Sequence, residues 1–355
     1  MNKNYKKIIL GIVLVGLVIM GIFAYNIYSI LFGSNTNFET ETYEVFIPSD
    51  ADYNTAFLII ADAVKNRDNL HTTAVKKKYN ENIKSGRFLI KKGSSNNDII
   101  NTVRSQNMPV KVTFNNQERV ENLAGRLSQQ IEPDSLSLLK AMKDPEFLKE
   151  NGLDENTALS IYLPNSYETY WNTSAERFRD KMLSYHKQFW TAEKLEKAKK
   201  LDLSPSEVYT VASIVQKETA KVDEMPRVAG VYLNRLARGI KLDADPTVIY
   251  AKKKSENDFE QQIKQVLYKH LEIDNPYNTY KYSSLPPGPI VTPDLSAINA
   301  VLNPEKHDYL YFVANVENFG YHKFAKTLAQ HNRNAAAYRR WIAKNNEVLY
   351  LFIKK

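Results

Sequence analysis

The segment Ser204–Ala220, SPSEVYTVASIVQKETA, holds the side chain in this sequence best placed to do chemistry. Ser204 followed by Glu207 is a capping box, and Pro205 stands at the first helical position, where its missing N–H costs nothing. A helix therefore begins here. Val208, Val211, Ala212 and Val215 recur at the i, i+3, i+4, i+7 spacing of a buried stripe, with Ile214 beside them. At about 100° per residue, Glu218 falls roughly 50° from the centre of that stripe, whereas Gln216 and Lys217 fall more than about 100° away. A carboxyl turned toward a partly apolar pocket is disfavoured as an anion, so its pKa rises and it can donate a proton near neutral pH. Glu218 is thus a candidate general acid. The structural alternative is an ion pair with Arg227 or Arg235 at the edge of the core, since long charged side chains usually reach solvent or a partner. Periodicity alone leaves both readings open.

Other chemistries find little support. The chain has no cysteine, which removes thiol nucleophiles, thiolate metal sites and disulfides together. Its histidines (His71, His186, His270, His307, His322, His331) are scattered without an H-E-x-x-H or similar ligand pair, consistent with a site that needs no metal; no cofactor is expected either. The pattern S-x-x-K occurs at Ser137–Lys140 and Ser184–Lys187, but Lys84-Ser85-Gly86 and Ser94-Ser95-Asn96 precede both, the reverse of the order in serine acyl-transferases of the penicillin-binding class. In LDADPTVIY, Asp245 before Pro246 has the grammar of a helix N-cap and is equally a candidate substrate contact. The strings NPYNTY and LPPGPI read as loops, and Tyr277, Asn278, Thr279 and Tyr280 could line a groove, the rings meeting apolar faces of a ligand and the amide or hydroxyl its polar groups. Asn234 and Tyr167 complete the candidate binding residues. YLYFVA reads as a core strand.

The elements that must position these residues follow from the same sequence of 355 residues. Residues 8–32 are apolar without a charged side chain, and roughly 20 such residues suffice for a membrane-spanning helix. Lys3, Lys6 and Lys7 precede this run, so the positive-inside rule keeps residues 1–7 cytoplasmic and sends the rest across the membrane. The run exceeds the roughly 7–15 residues of a signal-peptide core and lacks a small-residue cleavage site, which favours an uncleaved anchor. Residues 33–41 form a polar linker. Strands at Thr42–Pro48 and Gly86–Ile90, helices at Asn54–Val64 and after Ser95, and a third strand at Pro109–Asn115 make a small α+β domain over 42–115. A helical connector over 116–154 follows, then a larger α+β domain over 155–345 with a helix opened by Thr292-Pro293, a hairpin from YLYFVA, a last helix from Thr327, and a tail at 346–355. Few, short strands paired as hairpins give the fold class α+β. A net charge of +8 favours an anionic partner, and for an exported domain an acidic polymer or lipid suits better than nucleic acid.

ASIVQKET, VAGVYLNRL, LDADPTVIYA, NPYNTY, LPPGPI and YLYFVA, in this order from Ala212 to Ala314, closely resemble the YceG-like family of endolytic murein transglycosylases. LPNSYETY and the single N-terminal span are similar to the family as well, and GRFLIKKGSSNNDII resembles its LysM-like subdomain. Family members usually read E-K-E-T where this chain has Gln216-Lys217-Glu218-Thr219, which leaves Glu218 as the general acid. The resemblance implies non-hydrolytic cleavage of the N-acetylmuramic acid–N-acetylglucosamine bond inside a glycan strand, leaving a 1,6-anhydro end, with one carboxyl as acid and then base and no metal. It also implies a catalytic domain outside a bacterial cytoplasmic membrane, peptidoglycan as substrate and cell-wall synthases as partners. The alternative within the same surroundings is a non-catalytic, membrane-tethered scaffold that holds peptidoglycan near a synthase.

Overall fold

In a computed structural model the fold is described for residues 3–353, with side chains for 5–344. The outer ends of the two expected tails, Met1–Asn2 and Lys354–Lys355, lie outside the described residues. Helix α1 (Lys3–Phe32) carries the apolar stretch Tyr5–Phe32, among the described residues the one helix long and apolar enough to cross a membrane. The remainder mixes helices with three two-stranded sheets, an α+β fold. The chain divides into two compact units, one holding α1 and the chain to Val112 with Ser128–Pro133 and Tyr167–Ser174, the other Thr113–Leu127, Asp134–Ser166 and the chain from Ala175.

In the first unit, β1 (Thr42–Ile47), α2 (Tyr53–Ala61), α3 (Arg67–Lys76), β2 (Gly86–Lys91) and α4 (Asn96–Ser105) surround one core. β1 and β2 run antiparallel with Val45 opposite Phe88 and Tyr43 opposite Ile90, so the period-two alternation puts Val45, Ile47, Phe88 and Ile90 on the buried face. Ser95 caps α4 in a reciprocal capping box with Asp98, and Ile99, Ile100 and Val103 enter the core. Helix α3 has no counterpart in the sequence reading, because RDNLHTTAVK offers only Leu70, Ala74 and Val75 as an apolar face.

β3 (Pro109–Phe114) pairs with β4 (Asn165–Tyr170). Between them lie α5 (Val120–Ser128), α6 (Ser135–Met142) and α7 (Pro145–Glu150). The second unit continues with α8 (Ala175–Phe189), α9 (Ala192–Lys200), α10 (Pro205–Glu218), α11 (Met225–Ala237), α12 (Asp245–Ser255), α13 (Tyr268–Leu271), α14 (Leu295–Leu302), the antiparallel hairpin β5 (Tyr311–Ala314)–β6 (His322–Ala325), and α15 (Leu328–Ile353).

The centre of this unit is α10. Ser204 and Glu207 form the capping box with Pro205 in the first turn, as the sequence dictates. Burial goes further than one stripe, because every residue from Val208 to Val215 is enclosed, packed among α11, α12 and α14. Its polar members are satisfied locally: Thr210 Oγ1 donates to the Ser206 carbonyl at 2.9 Å, Ser213 Oγ donates to that of Thr210 at 2.7 Å and accepts from Ile290 N at 3.1 Å. Two local expectations are corrected. The helix expected to open at Thr292-Pro293 begins at Leu295 with Asp294 in the N-cap position, while buried Thr292 accepts a hydrogen bond from Gln117 N at 2.8 Å. YLYFVA is not a fully enclosed strand: Tyr311–Ala314 stay half-buried in a two-stranded hairpin on which α15 packs, with Phe312 turned to the core.

Candidate active site

Glu218 is the last residue of α10, and its side chain turns into a cleft of about 420 Å³. Tyr232 on α11, Asp243 and Asp245 at the start of α12, Tyr280, and the β5–β6 hairpin form the walls. The carboxyl pairs with neither arginine proposed from sequence: Arg227 donates from Nε to Glu305 at 2.9 Å, and Arg235 is engaged elsewhere. Its partner is a neutral hydroxyl, Tyr232 OH, which donates to Oε1 at 2.7 Å. Phe312 stands edge-on to the Tyr232 ring, centroids 5.9 Å apart, and makes this side of the cleft apolar.

These surroundings decide the protonation of Glu218. Burial pushes its pKa up from 4.5 to about 7; the Tyr232 hydrogen bond opposes the shift, and the negative charge of Asp245 adds to it. Burial and the neighbouring Glu218 likewise drive the Tyr232 hydroxyl well above its ordinary range, so it remains a hydrogen-bond donor. The carbonyl end of α10 also disfavours negative charge at its last residue. The result is a carboxyl enclosed by protein yet open to the cleft, able to hold or release a proton near neutrality.

Of the residues singled out by sequence, Glu218, Asp245 and Tyr280 meet in this cleft. Asp245 does not cap α12, because Ala244 occupies the N-cap position; Asp245 is the first helical residue and accepts the Tyr280 hydroxyl at 2.7 Å. The other loop residues serve packing. Asn278 is fully enclosed and donates to the carbonyls of Leu271 and Ile273, both at 2.9 Å. Thr279, equally enclosed, accepts from Ala244 N at 3.0 Å and shares a 2.8 Å hydrogen bond with Thr247, fixing the approach to α12. Tyr277 packs on Tyr250 with centroids 4.7 Å apart and lines a separate pocket. Asn234 ties α11 to the carbonyls of His307 (2.8 Å) and Tyr309 (3.1 Å), beside another hollow. Tyr167 lies buried in β4, in the first unit, and does not line this cleft. Gln216 spends its amide on the start of α14, its Oε1 accepting from Asp294 N at 3.0 Å.

The sequence reading assigned no site role to Tyr232, Asp243 and His322, and placed Arg235 only as a candidate ion-pair partner of Glu218. Arg235, 6% exposed, donates to the carbonyls of Leu310 (2.6 Å), Lys241 (2.7 Å) and Leu242 (3.0 Å) and to Asp243 Oδ2 at 2.9 Å, and so joins the hairpin to the turn before α12. Val228, Tyr232 and Arg235 share the i, i+4, i+7 face of α11, a signal that was present but reads equally as core. His322 arrives from a hairpin about a hundred residues downstream, which no local pattern announces. Among the described residues no three His, Asp or Glu side chains converge as a metal site.

Fold and cleft together define an α+β protein with an enclosed, protonatable carboxyl at the end of its central helix. The family is shown independently: the sequence model of the YceG-like family matches residues 45–337, so this chain belongs to the YceG-like family. It is 41% identical over 149 residues to the endolytic murein transglycosylase of Bacillus subtilis (strain 168), covering 42% of this chain and 38% of that one. It is 35% identical over 174 residues to the protein of the same name in Streptococcus pneumoniae (strain D39), covering 49% and 31%. The aligned parts thus span well under half the length of these curated relatives. A crystal structure of a yceG-like protein from Listeria monocytogenes superposes with a TM-score of 0.56 at 28% identity, covering 83% of this chain and 99% of that one.

Proposed function

We propose that this protein is a membrane-anchored endolytic lytic transglycosylase that cuts within peptidoglycan glycan strands. The observation that carries the reading is a cleft-facing Glu218 whose pKa burial pushes up to about 7; the likeness to two endolytic murein transglycosylases supports it. The protonated carboxyl gives its proton to the oxygen linking N-acetylmuramic acid to N-acetylglucosamine. The C1–O bond breaks and the N-acetylglucosamine side leaves as an alcohol. The 6-hydroxyl of the muramoyl residue then closes on C1, and the Glu218 carboxylate takes its proton, restoring the starting state. Because the nucleophile is internal, the second carboxylate that hydrolytic glycosidases use has no task here. Asp245 and Tyr280 contact the sugar from the cleft wall, and the charge of Asp245 adds to the burial that keeps Glu218 protonated.

In this function α1 is a single span with Lys3, Lys6 and Lys7 on the cytoplasmic side and the chain after Gly33 outside. Residues 42–115 are a LysM-like module that holds glycan, and cell-wall synthases are the natural neighbours of such an enzyme. The test compares ectodomains of wild type and Glu218→Gln on purified sacculi. Anhydro-ended fragments from wild type alone are expected. Equal product from both would remove Glu218 from the mechanism, and no product from wild type would favour the non-catalytic scaffold.

A further inference from the structure

Glu224 stands at the N-cap position of α11, yet its side chain makes no capping hydrogen bond to that helix. It turns instead to β6, where Oε1 accepts the backbone N–H of His322 at 2.7 Å and Oε2 lies 2.8 Å from His322 Nδ1. The Glu224 side chain is 2% exposed and that of His322 15%. A nearly solvent-free carboxyl that forgoes a helix cap in order to hold an imidazole is a costly arrangement unless the imidazole has work to do.

The position of His322 shows where that work lies. Its side chain lines the same cleft as Glu218, with Phe312 edge-on at 5.0 Å between ring centroids. The peptide N–H must be the donor to Oε1, and a hydrogen on Nδ1 completes the pairing at Oε2. In a neutral imidazole, a carboxylate that takes the hydrogen of one nitrogen leaves the other as an acceptor and fixes the ring's orientation. Nε2 of His322 has no hydrogen-bond partner among the described residues, so its lone pair is available to whatever occupies the cleft.

We propose that His322 is a glycan-binding residue of this cleft, held by Glu224 so that Nε2 accepts a hydrogen bond from a hydroxyl or acetamido N–H of the bound saccharide. This rests on the lytic reading above. The donor is a group other than the muramoyl 6-hydroxyl, whose proton goes to Glu218. Glu224 is the positioning residue and touches no substrate.

The test measures anhydro-product formation on glycan strands of defined length by wild type, His322→Leu, His322→Gln and Glu224→Gln, with melting temperatures alongside. One lost hydrogen bond is worth about tenfold, so His322→Leu should raise KM about tenfold with kcat within roughly threefold, and His322→Gln, which keeps an acceptor, should recover most of it. Glu224→Gln should raise KM by a smaller factor, since its amide still accepts one of the two donors. Should His322→Leu fail to fold, His322→Gln against wild type carries the test, with near-wild-type KM expected. Wild-type KM in a folded His322→Leu overturns this proposal alone. So does a failure of His322→Gln to bind better than His322→Leu. Absence of product from wild type overturns the lytic reading and this one with it.

Discussion

The environment of Glu218 makes a prediction about stability that needs no substrate. A carboxyl at about 7 in the folded protein and near 4.5 when unfolded favours folding most when both states hold the proton, below pH 4.5. As pH rises between these values the unfolded chain releases its proton while the folded protein keeps it, and stability falls by roughly 1.4 kcal/mol per pH unit. Above about pH 7 the folded carboxyl is ionised as well, and the loss levels off at roughly 3 kcal/mol. Glu218→Gln cannot titrate and keeps an oxygen for the Tyr232 hydroxyl to donate to. The variant should therefore match the wild type at pH 4 and exceed it by about 3 kcal/mol at pH 8, a gap of roughly 6–12 °C in melting temperature for a unit of this size. Thermal unfolding of the two ectodomains, followed by circular dichroism from pH 4 to 8.5, reads that difference directly, and other titrating groups cancel because both chains share them. A gap that stays constant with pH, or a variant less stable at pH 8, would refute the buried-acid account.

Further consequences concern the neighbours of Glu218. Tyr232→Phe removes the hydrogen bond that holds the Glu218 pKa down, so the alkaline limb of the activity profile should move up by about one to two pH units; no movement, or a downward one, would contradict the assignment. Arg235→Ala strands three carbonyls and the Asp243 carboxylate, and denaturant titration should show a loss of roughly 3 kcal/mol, only partly restored by Lys, which cannot fork. A Cβ on Gly288 would stand 2.1 Å from the backbone oxygen of Asn156, so Gly288→Ala should cost roughly 1–3 kcal/mol in the same assay. EDTA should leave glycan cleavage unchanged, and a clear loss would point to a metal requirement.

How much of this was legible in the sequence varies with the range of the interactions. The start of α10 could be read outright, because Ser204, Pro205 and Glu207 act within one turn. The direction of Glu218 followed from helical rotation, and the enclosure that raises its pKa comes from Tyr232 on the next helix and from the hairpin beyond residue 310. The NPYNTY loop misled in an instructive way. Its Asn278 and Thr279 have side chains suited to a sugar, but a loop that runs through the interior must satisfy its own backbone, and both residues are used for that. Tyr280, next in the chain, does reach the cleft and the carboxylate of Asp245. The roles of Arg235 and His322 rest on contacts made across about 75 and 100 positions, and spacing carries no trace of them.

The walls of the cleft differ in how far they are enclosed. The reactive carboxyl rides on a helix gripped on all sides from Val208 to Val215, so the proton's place in space is fixed before any ligand arrives. Facing it is a ribbon of two four-residue strands, most of whose residues are only half-buried. On the lytic reading proposed above, the enclosed helix keeps the acid in place and the less enclosed ribbon is the side of the cleft that meets differences in bulk along the glycan.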